Sequence, residues 1–185
     1  GGCFDYAYSK DESRQDLSLA GWNYQALKAA YGAGCEEEGL SEAIQKGITW
    51  LKKAGGMSEG FPYTLGDEVK GQGKHTMRAV GVLCLQLYGE GNAKEIKDDI
   101  QMIGSEDLSN YDWDNPPHAN LYGWYYATQT MFQKGGGLWK KWNRKFQKVL
   151  TKNQNVEGYW EYPGTHHADW CDDLTRRIYA TTLCA

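Results

Sequence analysis

Three residues near the C-terminal end of the chain have side chains that commonly bind metal ions. His167, Asp169 and Cys171 lie in one loop-like stretch, and imidazole, carboxylate and thiolate groups are all ligands of Zn²⁺. The three fall within five residues of one another, which leaves one loop little room to arrange them around an ion. We keep them as metal-site candidates, but we expect an ordinary polar loop, no bound metal and no cofactor.

Two neighbouring carboxylates follow that loop. Asp172 and Asp173 precede an apolar helical segment, and paired carboxylates can do general acid or base work when their pKa values are suited to it. Carboxylates are also common in the first turn of a helix, because the helix macrodipole favours negative charge there. Asp172 and Asp173 are the catalytic candidates, and a helix-terminal pair is the simpler explanation of both.

Aromatic side chains cluster where two apolar helical segments begin, around Trp22 and around Tyr122. Such rings can hold cations, isoprenoid chains or sugar rings, and they can equally pack between neighbouring helices. His75 and His118 precede helix starts of the same kind. The ligand-binding candidates are Trp22, His75, Trp113, His118, Tyr122, Tyr126 and Tyr179.

A loop pattern with glycine and aromatic residues recurs along the chain and indicates internal repeats. The repeating unit is roughly 50–57 residues long. Each loop is followed by a helix-start signal and an apolar segment. The three clearest copies are Gly2-Cys3-Phe4-Asp5-Tyr6, Gly60-Phe61-Pro62-Tyr63 and Gly158-Tyr159-Trp160-Glu161-Tyr162.

Each unit is predicted to contain two helices, the first apolar on most faces and the second amphipathic. The amphipathic stripes have helical spacings of three and four, as in Ile44, Ile48 and Leu51. The alternation of buried and exposed helices predicts an all-α fold of α/α-hairpin repeats in two layers. We expect one repeat domain over residues 1–185 with about three and a half hairpins, its inner helices starting near Ser18, Thr76, His118 and Arg177.

The most specific motif has the spacing QxxxGxW. It runs Gln154-Asn155-Val156-Glu157-Gly158-Tyr159-Trp160. We expect Gln154 to bond backbone groups at a helix terminus and Trp160 to be largely buried. This motif resembles the QW repeat of squalene–hopene and oxidosqualene cyclases, and the Gly-Phe-x-Tyr loops resemble those of protein prenyltransferase β subunits. The resemblance implies an arc or partial α/α-toroid, because the chain has fewer hairpins than the closed ring of that superfamily. It also implies a piece of a longer protein.

The catalytic motifs of those families are incomplete here. The cyclase Asp-x-Asp-Asp acid would need an aspartate at Trp170, and the zinc site of prenyltransferases would need a histidine well downstream of Cys171. The sequence therefore favours a non-catalytic module that presents an aromatic concave surface to a small molecule, a peptide or a glycan. An isoprenoid cyclase or transferase, and a structural repeat region of a large envelope protein, remain the alternatives.

The composition limits which other classes of protein the chain could belong to. Twenty basic against 24 acidic residues give a net charge of −4, which argues against nucleic-acid binding. The mean hydropathy is −0.70, and no apolar run approaches a membrane span. The chain shows no targeting segment, and the sequence does not indicate its cellular compartment. In an exported protein, two of Cys3, Cys35 and Cys171 could form a disulfide. We expect either self-association through the apolar ends of the hairpin array or a curl that brings its first and last helices into contact.

Overall fold

The described part of the chain is almost entirely helical. In a computed structural model the structure describes residues 2–6, 15–56, 60–65, 74–105, 113, 119–163 and 172–185. The predicted all-α class with packed helices is confirmed. The helices in these ranges are α1 (Leu17–Gly32), α2 (Leu40–Gly55), α3 (Lys74–Leu87), α4 (Lys97–Ser105), α5 (Leu121–Lys134), α6 (Gly136–Asn153) and α7 (Asp173–Cys184).

Two short elements complete the description. A single 3₁₀ turn, Lys94–Ile96, leads into α4. Two strands of two residues each, β1 (Gln15–Asp16) and β2 (Thr64–Leu65), pair antiparallel with Asp16 opposite Thr64. This bridge was not predicted, since so short a segment carries no alternating pattern.

The chain divides into two compact units, Gly1–Ile103 and Gly104–Ala185. In the first unit α1 packs against both α2 and α3, and in the second unit α5 packs against both α6 and α7. Each unit thus pairs an apolar helix with an amphipathic one and with the next apolar helix. That is the neighbour relation expected of hairpin repeats, and the toroid itself stays a prediction.

Side-chain caps set the starts of three apolar helices. Asp16 accepts from the backbone N–H groups of Ser18 and Leu19 at 2.9 and 3.2 Å, and Asn120 accepts from that of Gly123 at 3.1 Å. Asp172 caps α7 in the same way. Such caps satisfy N–H groups that have no partner inside the helix. Because Asp172 is the cap, α7 begins four residues earlier than predicted.

Two aromatic rings, one from a glycine-aromatic loop and one from α1, fill glycine-lined gaps in the core. Phe61 is 1% exposed, and a Cβ atom on Gly55 or Gly81 would lie only 2.7 or 2.2 Å from its ring. Tyr24 is packed in the same manner against Gly47, and its hydroxyl donates to the carbonyl of Gly2. Helices α1, α2 and α3 can therefore approach closely only because these positions lack a side chain.

One residue joins α5 to α6. The glycine triplet at this point both ends α5 and begins α6. Gly135 and Gly136 have φ values of 66° and 61°, a region that residues with a Cβ atom seldom adopt. The indole Nε1 of Trp142 donates to Thr128 Oγ1 at 3.0 Å and ties the two helices together.

The QW-like motif forms a turn that contacts two helices. Trp160 is 7% exposed, as predicted, and its indole Nε1 donates to the carbonyl of Leu150 in α6 at 2.9 Å. The backbone N–H of Trp160 donates to Thr181 Oγ1 of α7 at 3.1 Å. Gln154 was expected to bond a helix terminus, but its amide instead donates to the carbonyl of Gly158 within the turn. The indole therefore takes the role that we had given to the glutamine.

No helix in the described ranges is both long enough and apolar enough to cross a membrane. Cys3, Cys35, Cys84 and Cys184 are free thiols, so the disulfide between Cys3 and Cys35 that the sequence left open is not formed. Cys84 is fully buried, as a small core residue should be, whereas Cys184 is only partly buried. Cys171 lies outside the described residues.

Candidate functional site

The second unit carries a cluster of partly exposed aromatic rings that we call the aromatic platform. It consists of Tyr122 and Tyr125, both half-buried. Tyr122 and Tyr125 are three residues apart on α5 and therefore lie on neighbouring parts of its surface. The cap at Asn120 holds the first turn of this helix, where Tyr122 is located.

One fully buried ring contacts both platform rings. The ring of Tyr126 lies 4.9 Å from that of Tyr122 and 5.2 Å from that of Tyr125, measured between centroids. The predicted ligand contact Trp113 is half-buried and packs instead on Trp124, 6.1 Å away, and Trp124 is turned about 200° round the helix from Tyr122. These are distances at which aromatic pairs attract each other, so the platform rings are held by packing before any ligand arrives.

A second layer of rings lies beneath Trp124. Phe146 of α6 meets Trp124 edge-on at 5.2 Å and stacks on Trp142 at 5.3 Å. Trp142 is 1% exposed, and its indole N–H is already used by Thr128. These contacts join α5 to α6 around Trp124.

The platform offers flat apolar faces and phenol hydroxyl groups, and neither of its two members is charged. Rings of this kind stack on flat or cyclic ligands while their polar tips form hydrogen bonds. The arrangement is therefore suited to binding a flat or cyclic ligand.

Tyr126 corrects one prediction. It was named as a ligand contact, but it is 0% exposed. Successive helical residues are rotated by about 100°, so Tyr126 cannot point outward together with Tyr125. Tyr126 supports the platform, and Tyr125, which was not among the predicted contacts, takes its place at the surface.

The other predicted contacts are more dispersed. Trp22 is 43% exposed on α1, and His75 is exposed at the second residue of α3, so both belong to the first unit. Tyr179 of α7 is half-buried, 6.0 Å from the ring of Tyr162. Burial raises the pKa of Tyr179 to about 12, which keeps the phenol neutral. His118 lies outside the described residues.

Asp172 and Asp173 have the properties of helix-terminal carboxylates. The backbone N–H of Thr175 donates to Asp172 Oδ1 at 2.8 Å and holds the pKa of that exposed carboxyl below its usual range. Asp173 is exposed and pairs with Arg176. A proton donor needs a carboxyl that holds its proton near the working pH. The cap agrees with the helix-terminal explanation of Asp172, and its catalytic role stays a prediction.

The metal-site candidates His167, Asp169 and Cys171 fall outside the described residues. Within the ranges that the structure does describe, no three histidine, cysteine or acidic side chains are grouped so that they could hold a metal ion.

Sequence analysis missed a pocket in the first unit. The cavity measures about 200 Å³ and brings together residues of α1 and α2 with the residue that follows α3. Little in the sequence indicated this pocket. Ile44 and Ile48 had been assigned to the core, and the lining residues come from separate segments of the chain. The lining residues are Lys28, Tyr31, Ser41, Ile44, Gln45, Ile48 and Tyr88.

Comparison of the chain with protein-family models, with curated proteins and with solved structures found no match.

Proposed function

We propose that the chain is a hairpin-repeat domain of the α/α-toroid type that binds a ligand without converting it. We further propose that the ligand is a neutral carbohydrate, held on the aromatic platform. The observation that carries the proposal is the geometry of Tyr122 and Tyr125, two half-exposed rings held by the buried ring of Tyr126 at 4.9 and 5.2 Å.

The choice of a carbohydrate follows from the chemistry of the platform. A sugar ring presents C–H groups on its faces and hydroxyl groups at its edges, which match the faces and the hydroxyl groups of tyrosine. A charged ligand would need a counter-charge, and Tyr122 and Tyr125 carry none. Asp172, engaged as a cap with a lowered pKa, gives no support to the alternative of an isoprenoid cyclase.

Titration with a panel of neutral oligosaccharides, followed by amide chemical shifts of the labelled chain, tests the proposal. Tyr122→Ala and Tyr125→Ala should each weaken binding of the best oligosaccharide about tenfold, equivalent to about 1.4 kcal/mol. Phe132→Ala is the matched control. Phe132 lies on the same helix, is 61% exposed and contacts Trp139 at 5.3 Å, so its loss should leave affinity unchanged.

Two results would count against the proposal. If no oligosaccharide shifts amides of α5, the platform does not bind sugars. If the isolated chain converts an isoprenoid diphosphate or squalene, and Asp172→Asn abolishes the product, the domain is an enzyme and the cyclase alternative takes its place.

A further inference from the structure

The pocket of the first unit has one charged group, and this group decides what it can hold. Among its seven lining residues only Lys28 is charged. Its ammonium lies 5.7 Å from the centroid of the Tyr31 ring, a distance within the range of cation–π attraction. The positive charge is thus kept at the pocket beside an aromatic face.

The floor of the pocket is apolar. Ile44 and Ile48 are 8% and 9% exposed, and they stand one turn apart on α2, so their side chains are neighbours on one face. Ser41 and Gln45 share that face at the same helical spacing and add a hydroxyl and an amide that can donate hydrogen bonds. Apolar surface and polar donors therefore occur side by side on α2.

The wall opposite α2 is fixed before any ligand binds. The hydroxyl of Tyr88 donates to the carbonyl of Tyr24 at 2.9 Å, and the two rings meet edge-on at 6.1 Å. Tyr24 is 1% exposed. The Tyr88 ring is therefore anchored to the core, and a preformed wall reduces the entropy that a ligand loses on binding.

We propose that this pocket binds a small aromatic monocarboxylate. The apolar part of the ligand lies on Ile44 and Ile48 beside the ring of Tyr88, and its carboxylate pairs with the ammonium of Lys28. A volume of about 200 Å³ is smaller than that of drug-binding sites, so the ligand is a single substituted ring. One lysine matches a single negative charge, whereas a dianion would leave one charge without a partner.

Phenylacetate is the probe, compared with neutral phenylacetamide and cationic phenethylamine at low ionic strength and neutral pH. Amide chemical shifts of the labelled chain report on α1 and α2. We expect saturable binding of phenylacetate with a Kd on the order of 1 mM, as suits so small a ligand. Phenylacetamide should bind more weakly, and phenethylamine more weakly still because of repulsion by Lys28.

Two variants separate the charge of the pocket from its shape. Lys28→Met should weaken phenylacetate binding about threefold to fivefold, the range expected of a solvent-accessible ion pair, and should leave the affinity for phenylacetamide unchanged. Ser41→Trp places a large side chain at an exposed position of the lining and should abolish binding of both. Lys46→Met is the control, since Lys46 pairs with Glu42 at 2.7 Å and does not line the pocket.

The proposal fails if phenylacetate gives no saturable shifts in α1 and α2, or if Lys28→Met leaves its affinity unchanged. It also fails if Lys46→Met weakens phenylacetate as much as Lys28→Met does, because the effect would then reflect only net charge. The oligosaccharide titrations address a different unit, so either proposal can fail while the other holds.

Discussion

Replacing Gly81 by alanine would push a methyl group into the ring of Phe61. A Cβ atom at this position would lie 2.2, 2.3 and 2.5 Å from three atoms of that ring, far inside the usual contact distance of about 3.5–4.0 Å between carbon atoms. The ring is 1% exposed and touches Gly55 as well. Either the ring or α3 must move.

Two opposing contributions set the size of the effect. Alanine is the better helix former, by about 1 kcal/mol relative to glycine. Overpacking a filled core costs about 1–3 kcal/mol, and overlap with three atoms of a rigid ring favours the upper end. The free energy of unfolding should therefore fall by about 2 kcal/mol, which a urea slope of about 2 kcal/mol/M converts into a midpoint lower by about 1 M.

Urea unfolding followed by far-ultraviolet circular dichroism measures this change. Gly137→Ala in α6 is the matched control, since no atom lies within 4 Å of a Cβ built there, and its midpoint should stay level or rise. Adding Phe61→Leu to Gly81→Ala should recover part of the loss, because the smaller side chain makes room. A Gly81→Ala chain as stable as the parent would show that the close packing of Phe61 does not govern stability.

Four further outcomes follow from the structure. Trp160→Ala should lower the free energy of unfolding by about 3–5 kcal/mol, and a melting temperature within about two degrees of the parent would contradict this range. Arg78→Met should lower the free energy of unfolding by about 3–5 kcal/mol. The Asp99 carboxylate, which lies 2.5 Å from Arg78 Nε in the native chain, would be left buried without its counter-charge, and adding Asp99→Leu should restore part of that loss. The carboxyl of Asp172 should titrate below the usual range in a carbon-detected NMR titration, so its contribution to stability is present above about pH 4 and is lost as the pH falls through its folded pKa. Elemental analysis should find no stoichiometric zinc in the purified chain, and about one ion per chain that disappears in Cys171→Ser would overturn this expectation.

The helices were predictable because their apolar spacing reflects burial directly. Ile44, Ile48 and Leu51 were assigned to one buried stripe, and all three are buried on α2. The roles of polar side chains at the helix ends were harder to predict. Gln154 and Trp160 can each donate a hydrogen bond, and only the conformation of the turn decides which of them reaches α6.

The candidate site was predictable in composition but not in orientation. The aromatic cluster at the start of α5 was evident in the sequence. Which of Tyr125 and Tyr126 faces outward depends on the neighbours of the helix, and these come from distant parts of the chain. The pocket beside Lys28 escaped prediction for the same reason, because α1, α2 and the end of α3 must pack before its lining residues meet.

The turn around Trp160 has a consequence for how such hairpins could diverge. One residue bonds two helices, since its side chain donates to the carbonyl of Leu150 of α6 while its backbone donates to Thr181 of α7. Phenylalanine would fill most of the same volume but could not donate the bond to α6, so tryptophan contributes here through its N–H group as well as through its size. Where a short turn holds adjacent helices in register, most residues along their exposed faces are free to change, and sequences of this architecture can drift far apart while the stacking of their helices is preserved.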